Sequence, residues 1–262
     1  MLFVCGDIHS PIDIRKISNK NWKEQKKLNK DDVLINLGDF GGFWYPKNHP
    51  KYKKDLYWLK WLSDKPFTFT FLDGNHENHI MLNNLPTKEK WNGLVGYYKI
   101  NNNEIYYLKR GEIYTINGFK ILIIGGAESG DKYTRTIYKD WWEEELLSDK
   151  DKENVWKNLK KHNFKVDYIF SHTCPRSFAN EIYIKECGNS VYQIYNNEKR
   201  FLKKFEDPTT VFLEEVFKKT TFKEWHFGHW HLDIKSNFYD YKTGKSSMFY
   251  CHYKALPFKI EG

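Results

Sequence analysis

Short runs of apolar residues recur along the chain, and stretches with helical spacing separate many of them. Most of these runs are continuously apolar rather than alternating, which is typical of β-strands covered on both faces. We therefore predict strands at residues 2–5, 33–37, 67–72, 121–126, 167–171 and 224–228. Polar residues follow several of these runs directly, so the strands end abruptly.

Apolar positions at helical spacing predict three helices, at residues 53–64, 148–162 and 207–220. The dipeptide Asn117-Gly118 predicts a hairpin turn within residues 104–124. The chain from Phe238 onward is interpreted as closing antiparallel strands, and residues 126–148 as a long loop over the site. Strands alternating with helices favour a layered α/β fold. No linker rich in Gly, Ser or Pro divides the chain, so residues 1–262 are interpreted as a single domain.

Five of the predicted strands end in residues that bind metals or carry protons. These strand ends are Gly6-Asp7-Ile8-His9, Gly38-Asp39, Gly74-Asn75-His76-Glu77, Ser171-His172 and Gly228-His229-Trp230-His231. In α/β sheets, ligand sites form at the carboxyl ends of strands. On extended backbone, the two side chains of Asp-x-His or His-x-His point the same way and reach one cavity. The glycines allow a tight turn or a close approach of the backbone.

The donor set consists of carboxylates, an amide oxygen and imidazoles, without cysteine. Such donors suit Mn, Fe or Zn in open coordination rather than a closed structural zinc site. Seven side chains are too many for one ion, but they suit two ions roughly 3.5–4 Å apart that share a carboxylate.

The order of these motifs resembles that of the calcineurin-like metallophosphoesterases: Asp-x-His, Gly-Asp, Gly-Asn-His-Asp/Glu, His and Gly-His-x-His. The motifs span residues 6–231, so the resemblance covers nearly the whole chain. It implies a fold of two packed mixed β-sheets flanked by helices, with the site at one edge. The sequences "GDFG", "GNHEN" and "GHWH" are closer to small bacterial and phage members, whose substrates are not defined.

The resemblance implies two divalent ions, with Mn favoured and Fe, Zn or Ni as alternatives. By position, the first ion is held by Asp7, His9 and His231. The second is held by Asn75, His172 and His229. Asp39 bridges the two ions, and the expected reaction is in-line attack on phosphorus by a hydroxide held between them. His76 and Asp39 are the expected catalytic residues, with His76 as general acid; Glu77 orients His76 or forms hydrogen bonds within its loop.

The sequence constrains the substrate less than the chemistry. No Arg follows Gly38-Asp39, which disfavours a phosphoprotein phosphatase. Trp44 is a candidate for stacking on a base, and Arg135 and Arg176 are candidate phosphate contacts. We expect a phosphate ester, such as a nucleotide or cyclic nucleotide, as the substrate. A nuclease acting on DNA or RNA is the alternative, and a non-catalytic interaction module is disfavoured because every ligand position is filled.

Composition and charge agree with an anionic substrate. The 262-residue chain carries a net charge of +8, which permits phosphate esters or nucleic acid as partners. Its four cysteines are widely scattered, which is typical of reduced thiols in a cytosol. The sequence has no apolar run approaching the ~18 residues of a membrane span and no leader pattern. We therefore expect a cytoplasmic protein with no membrane association.

Overall fold

A computed structural model describes residues 1–187, 192–195, 198–201, 207–241 and 244–261, and the side chains of 1–185, 207–241 and 244–261. The strands are β1 Leu2–Cys5, β2 Val33–Leu37, β3 Thr68–Leu72, β4 Thr87–Lys90, β5 Gly93–Ile100, β6 Asn103–Leu108, β7 Ile113–Ile116, β8 Phe119–Ile124, β9 Tyr168–Ser171, β10 Tyr192–Tyr195, β11 Glu198–Phe201, β12 Glu224–Phe227, β13 Ile234–Asp240, β14 Lys245–Cys251 and β15 Phe258–Ile260. The α-helices are α1 Tyr52–Ser63, α2 His79–Asn83, α3 Asp149–Lys161, α4 Arg176–Cys187 and α5 Pro208–Lys219. Short 3₁₀ helices cover Ile14–Ile17, Lys23–Lys27, Lys132–Thr134 and Glu143–Glu145.

Two mixed sheets form the centre of the molecule. The first has seven strands in the order β15-β1-β2-β3-β6-β5-β4, and β1, β2, β3 and β6 are mutually parallel. The second has six strands in the order β13-β14-β12-β9-β8-β7, and β8, β9, β12 and β14 are mutually parallel. Antiparallel strands complete the edges of both sheets. Strands β10 and β11 pair only with each other in the described part of the chain.

The two sheets pack face to face, and helices cover their outer faces. Alternating side chains of β1 illustrate this arrangement, because successive residues of a strand point to opposite faces. Leu2 and Val4 belong to the buried cluster that joins both sheets. Phe3 and Cys5 belong to the cluster that the first sheet forms with α1. A third cluster joins the second sheet to α3, α4 and α5. The fold is therefore the layered α/β fold that the sequence pattern predicts, with the two packed mixed sheets that the resemblance implies.

The structure confirms the predicted strands and the three predicted helices to within a few residues. A capping box between Ser148 and Asp151 begins α3, and Pro208 is the first residue of α5. The hairpin prediction is wrong in part: the turn at Asn117-Gly118 joins β7 to β8, but residues 104–108 belong to β6 in the other sheet. Residues 126–148 form a loop with two 3₁₀ turns, as interpreted.

The topology brings the motif-bearing loops together. Strands β1, β2 and β3 are adjacent and parallel in the first sheet, and β9 and β12 are adjacent and parallel in the second. Their carboxyl ends are followed by the five predicted motifs. Within the described residues, no helix is long and apolar enough to cross a membrane.

Candidate metal centre

Asp39, which follows β2, lies at the centre of the site and is buried. Its two carboxylate oxygens face different histidines. Oδ2 lies 3.3 Å from Nε2 of His9, and Oδ1 lies 3.2 Å from Nε2 of His172. These contacts join the loop after β1 to the loop after β9, so the two sheets meet at this carboxylate.

One group of candidate ligands lies on the Oδ2 side of Asp39. One donor atom from each of four residues lies within 4.8 Å of the others: Asp7, His9, Asp39 and His231. Oδ2 of Asp7 is buried, accepts no hydrogen bond and lies 3.2 Å from Nε2 of His231. A buried carboxylate oxygen without a donor is costly unless a cation approaches it. This group therefore fits a metal ion.

A second group lies on the Oδ1 side of Asp39. Oδ1 of Asn75 is 3.0 Å from Nε2 of His172 and 2.9 Å from Nδ1 of His229. The imidazole rings of His172 and His229 meet edge to face, with centroids 5.0 Å apart. The structure thus brings together all seven predicted ligand side chains, in two groups that share Asp39.

Hydrogen bonds orient the histidines toward these groups. Nδ1 of His172 lies 2.8 Å from the carbonyl oxygen of Leu37, which can only accept, so this nitrogen carries the proton. In the neutral ring, Nε2 then presents a lone pair toward Asn75 and Asp39. Nδ1 of His9 lies 3.0 Å from Oδ2 of Asp13, which orients that ring similarly. Partners on the outer ring nitrogen are typical of metal-binding histidines.

The electrostatics of the cluster also fit a cation. Burial raises the pKa of the Asp39 carboxyl, but the adjacent His172 and His9 outweigh it and hold the pKa well below its usual range. Burial lowers the pKa of His172, but the charge of Asp39 outweighs this effect and raises that pKa to about 10. Positive charge is thus strongly favoured where the carboxylate, amide and imidazole atoms converge.

Left-handed backbone, rather than extended backbone, directs several candidate ligands inward. Positive φ angles between 39° and 66° occur at His9, Asp39, His229 and His231. The prediction that Asp-x-His and His-x-His converge as extended segments is therefore wrong in its geometry, because these residues lie in tight turns beyond the strands. The preceding glycines allow close approach: a Cβ at Gly74 would lie well inside 3.0 Å of Oδ1 of Asp39.

His76 lies beside the cluster without belonging to either group. Its backbone N–H donates to Oδ1 of Asp39 at 2.8 Å, and its ring centroid is 5.9 Å from that of His9. Glu77 is buried and accepts from the backbone N–H groups of Phe40 and Gly41 at 2.6 and 3.1 Å. The hydrogen bonds expected for Glu77 within its own loop go instead to another loop, so they tie the loop after β3 to the loop after β2.

A buried hydrogen-bond relay fixes the Asn75 amide, and sequence reasoning missed its members. Nδ2 of Asn75 donates to Oγ of Ser129 at 3.0 Å. The Ser129 hydroxyl donates to Oε2 of Glu145 at 2.5 Å, and the Ser129 backbone N–H donates to Oε1 at 2.9 Å. Because the Ser129 hydroxyl donates its hydrogen bond to the Glu145 carboxylate, its oxygen accepts from the Asn75 NH₂ group. Oδ1 of Asn75 therefore faces the histidines. The only sequence signal was the loop at residues 126–148.

The predicted substrate contacts differ in their surroundings. Trp44 lines a cavity beside His9 and His76. Arg135 donates to Asp131 through Nε and Nη2, at 2.7 and 2.8 Å, and its charge contributes to lowering the pKa of His76. Arg176 is exposed at the start of α4 and, within the described residues, makes no hydrogen bond or ion pair with the candidate ligands.

Two mixed sheets with a cluster of Asp, Asn and His at the carboxyl ends of their strands define an α/β protein with a candidate metal site. Residues 2–233 match the family model of the calcineurin-like phosphoesterases. The chain belongs to this family, and membership implies metal-dependent hydrolysis of phosphate esters. No curated protein matches the chain.

Proposed function

We propose that this protein hydrolyses phosphate mono- or diesters with a pair of divalent cations, Mn²⁺ being the first to test. The observation that carries the proposal is the position of Asp39, whose two oxygens face separate groups of ligand atoms. Seven candidate ligand side chains are more than one ion needs, and their division into two groups that share Asp39 suits two ions. Bound cations of this kind supply Lewis-acid activation of water and of phosphoryl oxygens.

Each cation would have its own set of side chains, and Asp39 would contribute an oxygen to both. The first would be held by Asp7, His9 and His231. The second would be held by Asn75, His172 and His229. The Oδ2 of Asp7, which accepts no hydrogen bond, and the Nε2 of His172, which faces Asn75 and Asp39, support this assignment.

His76 would protonate the leaving oxygen. The backbone bond to Asp39 holds this residue at the rim of the cluster. Burial lowers the pKa of the His76 imidazole, which favours the neutral ring in the free protein. An anionic phosphate ester beside the ring favours the charged form instead, so substrate binding would supply the proton donor. General acid catalysis of this kind typically contributes roughly 10²–10⁴-fold to the rate.

Two substitutions separate metal binding from proton transfer. Asp39→Asn should abolish hydrolysis of bis-p-nitrophenyl phosphate and lower the Mn²⁺ content, because it removes the shared charge. His76→Asn should abolish most activity with the Mn²⁺ content retained. His162→Asn is the control, since His162 lies at the end of α3 away from the cluster. Loss of metal in the His76 variant would make His76 a ligand and contradict its proposed role.

A nuclease is a second candidate, because the chain carries a net charge of +8. Nucleic-acid binding releases counterions, so its affinity falls steeply with salt. Activity on oligonucleotides that declines strongly with salt would favour the nuclease. Turnover of small esters with little salt dependence would exclude it.

The free, buried thiols of Cys5, Cys174 and Cys251 support the predicted cytoplasmic location; the Cys187 side chain lies outside the described residues.

A further inference from the structure

A cavity of about 230 Å³ opens beside His9 and His76, on the side facing α1. Three aromatic side chains contribute to its lining: Trp44, Tyr45 and Trp58. Trp44 and Tyr45 come from the loop after β2, whereas Trp58 comes from α1 and has no place in the family motifs. Pockets for drug-sized ligands usually measure ~300–1,000 Å³, so this cavity suits one ring system rather than a polymer.

The loop that carries Trp44 and Tyr45 is held in place from two sides. Oδ2 of Asp55 in α1 accepts the backbone N–H groups of Trp44 and Tyr45, at 2.9 and 2.7 Å. Nδ2 of Asn78 donates to the carbonyl oxygen of Trp44 at 3.0 Å. The aromatic positions are therefore fixed before a ligand arrives, which lowers the entropic cost of binding.

The aromatic rings differ from the buried phenylalanines of the same loop. Phe40 and Phe43 are almost fully buried and pack against Phe71, so they hold the loop against the sheet. Trp44 and Trp58 are only partly buried and face the cavity. His76 lines the same cavity, so a group attached to the leaving oxygen would enter it.

We propose that the cavity binds a flat aromatic leaving group, either a nucleoside or an aryl alcohol, of the phosphate ester that the metal centre hydrolyses. This inference rests on the proposed function and adds Trp58 as a specificity residue. Lys54 also lines the cavity and adds positive charge next to an anionic substrate. Stacking of an aromatic group on protein rings contributes ~1–3 kcal/mol per contact, or roughly 5- to 150-fold in affinity.

The chain offers a matched pair of variants for the test. Trp58 and Trp61 lie on α1, both are partly buried against the same core cluster, and their ring centroids are 5.7 Å apart. Only Trp58 lines the cavity. Trp58→Ala and Trp61→Ala therefore remove the same side chain from the same helix, and a thermal melt of each variant verifies that it folds.

The experiment measures kcat/KM with Mn²⁺ for p-nitrophenyl, nucleoside and simple alkyl phosphate esters. For each ester, the kcat/KM of the wild type is divided by that of the variant, so that the intrinsic reactivity of the ester cancels. We expect Trp58→Ala to lose roughly 5- to 150-fold on at least one aromatic class and less than twofold on the alkyl esters. For Trp61→Ala, this ratio should be the same for all three esters. Inhibition by free adenosine and by p-nitrophenol, compared between wild type and Trp58→Ala, distinguishes the nucleoside from the aryl source.

Equal losses on aromatic and alkyl esters, or the same selective loss in Trp61→Ala, would overturn the cavity assignment. A strong preference of the wild type for long oligonucleotides over mononucleotide esters would also overturn it. A wild type that hydrolyses none of the esters would refute the proposed function instead. In that case, direct binding of adenosine and p-nitrophenol replaces the inhibition measurements. If Trp58→Ala weakens the binding of neither compound, the cavity assignment is refuted independently of the proposed function.

Discussion

Substitution of Ser129 by Ala tests whether the relay behind Asn75 sets the metal affinity. In the structure, the Ser129 hydroxyl accepts from Nδ2 of Asn75 and donates to Glu145. Ala removes both bonds while leaving the metal-facing side chains unchanged. The Asn75 amide then loses the partner that distinguishes its two ends, and rotation by half a turn would direct its NH₂ group toward the cation.

The size of the expected loss of Mn²⁺ affinity follows from the burial of these groups. Asn75, Ser129 and Glu145 are all almost fully buried, so water does not replace the lost bond freely. An unsatisfied buried donor costs ~1–3 kcal/mol. Residues that orient metal ligands typically change metal affinity by roughly 10–100-fold when they are mutated. We therefore expect Ser129→Ala to weaken Mn²⁺ binding by roughly 10–100-fold.

The measurement is a Mn²⁺ titration by calorimetry, accompanied by a thermal melt. Ser148→Ala is the matched control, because Ser148 caps α3 away from the site. Loss of such a cap costs ~0.5–2 kcal/mol of stability, so this variant should melt earlier with unchanged Mn²⁺ affinity. Ser129→Thr keeps the hydroxyl and should retain more affinity than Ser129→Ala. Wild-type affinity in Ser129→Ala would refute the role of the relay.

Three further outcomes follow from the structure. Gly74→Ala should abolish Mn²⁺ binding because its Cβ would collide with Asp39, whereas Gly130→Ala, with open space around it, should leave calorimetric titrations unchanged. Burial lowers the pKa of His79 to about 3, and unfolding restores a pKa near 6.5, so acid favours the unfolded state. His79→Gln should therefore reduce the loss of unfolding free energy below pH 6.5 by up to about 1.4 kcal/mol per pH unit, as measured by thermal melts. Chelation should lower the wild-type melting temperature, and an unchanged midpoint would contradict metal binding to the folded state.

The strands next to the site were predictable because each is an unbroken apolar run. The pattern of apolar runs does not predict β5 and β4, which form one edge of the first sheet. Strand β5 mixes Tyr, Lys and Gly, and β4 has the sequence "TKEK". Strand β5 takes its place by pairing with β6, and β4 by pairing with β5; local periodicity encodes neither contact.

The candidate ligands were predictable from ordered motifs, but their supports were not. Ser129 lies 54 positions from Asn75, and Trp58 reaches the cavity from a helix whose apolar stripe looked purely structural. Both contacts depend on how loops and helices pack after the sheets have formed. Sequence motifs record the candidate ligand side chains, whereas the residues that orient them are ordinary in type and distant in sequence.

The left-handed ligands connect the stability of the fold to the chemistry. Each non-glycine residue in that conformation costs roughly 1–2 kcal/mol, so the four ligands together cost a sizeable part of the ~5–15 kcal/mol that stabilises a domain. Backbone bonds oppose this cost: His9 N–H donates to the carbonyl oxygen of Asp39 at 2.8 Å, and His229 N–H donates to Oδ1 of Asp7 at 3.0 Å. Because these bonds form within the protein, folding brings the ligand atoms together before an ion arrives. The candidate metal centre is thus a product of the turns beyond the strands, and its geometry depends on the backbone as much as on the side chains.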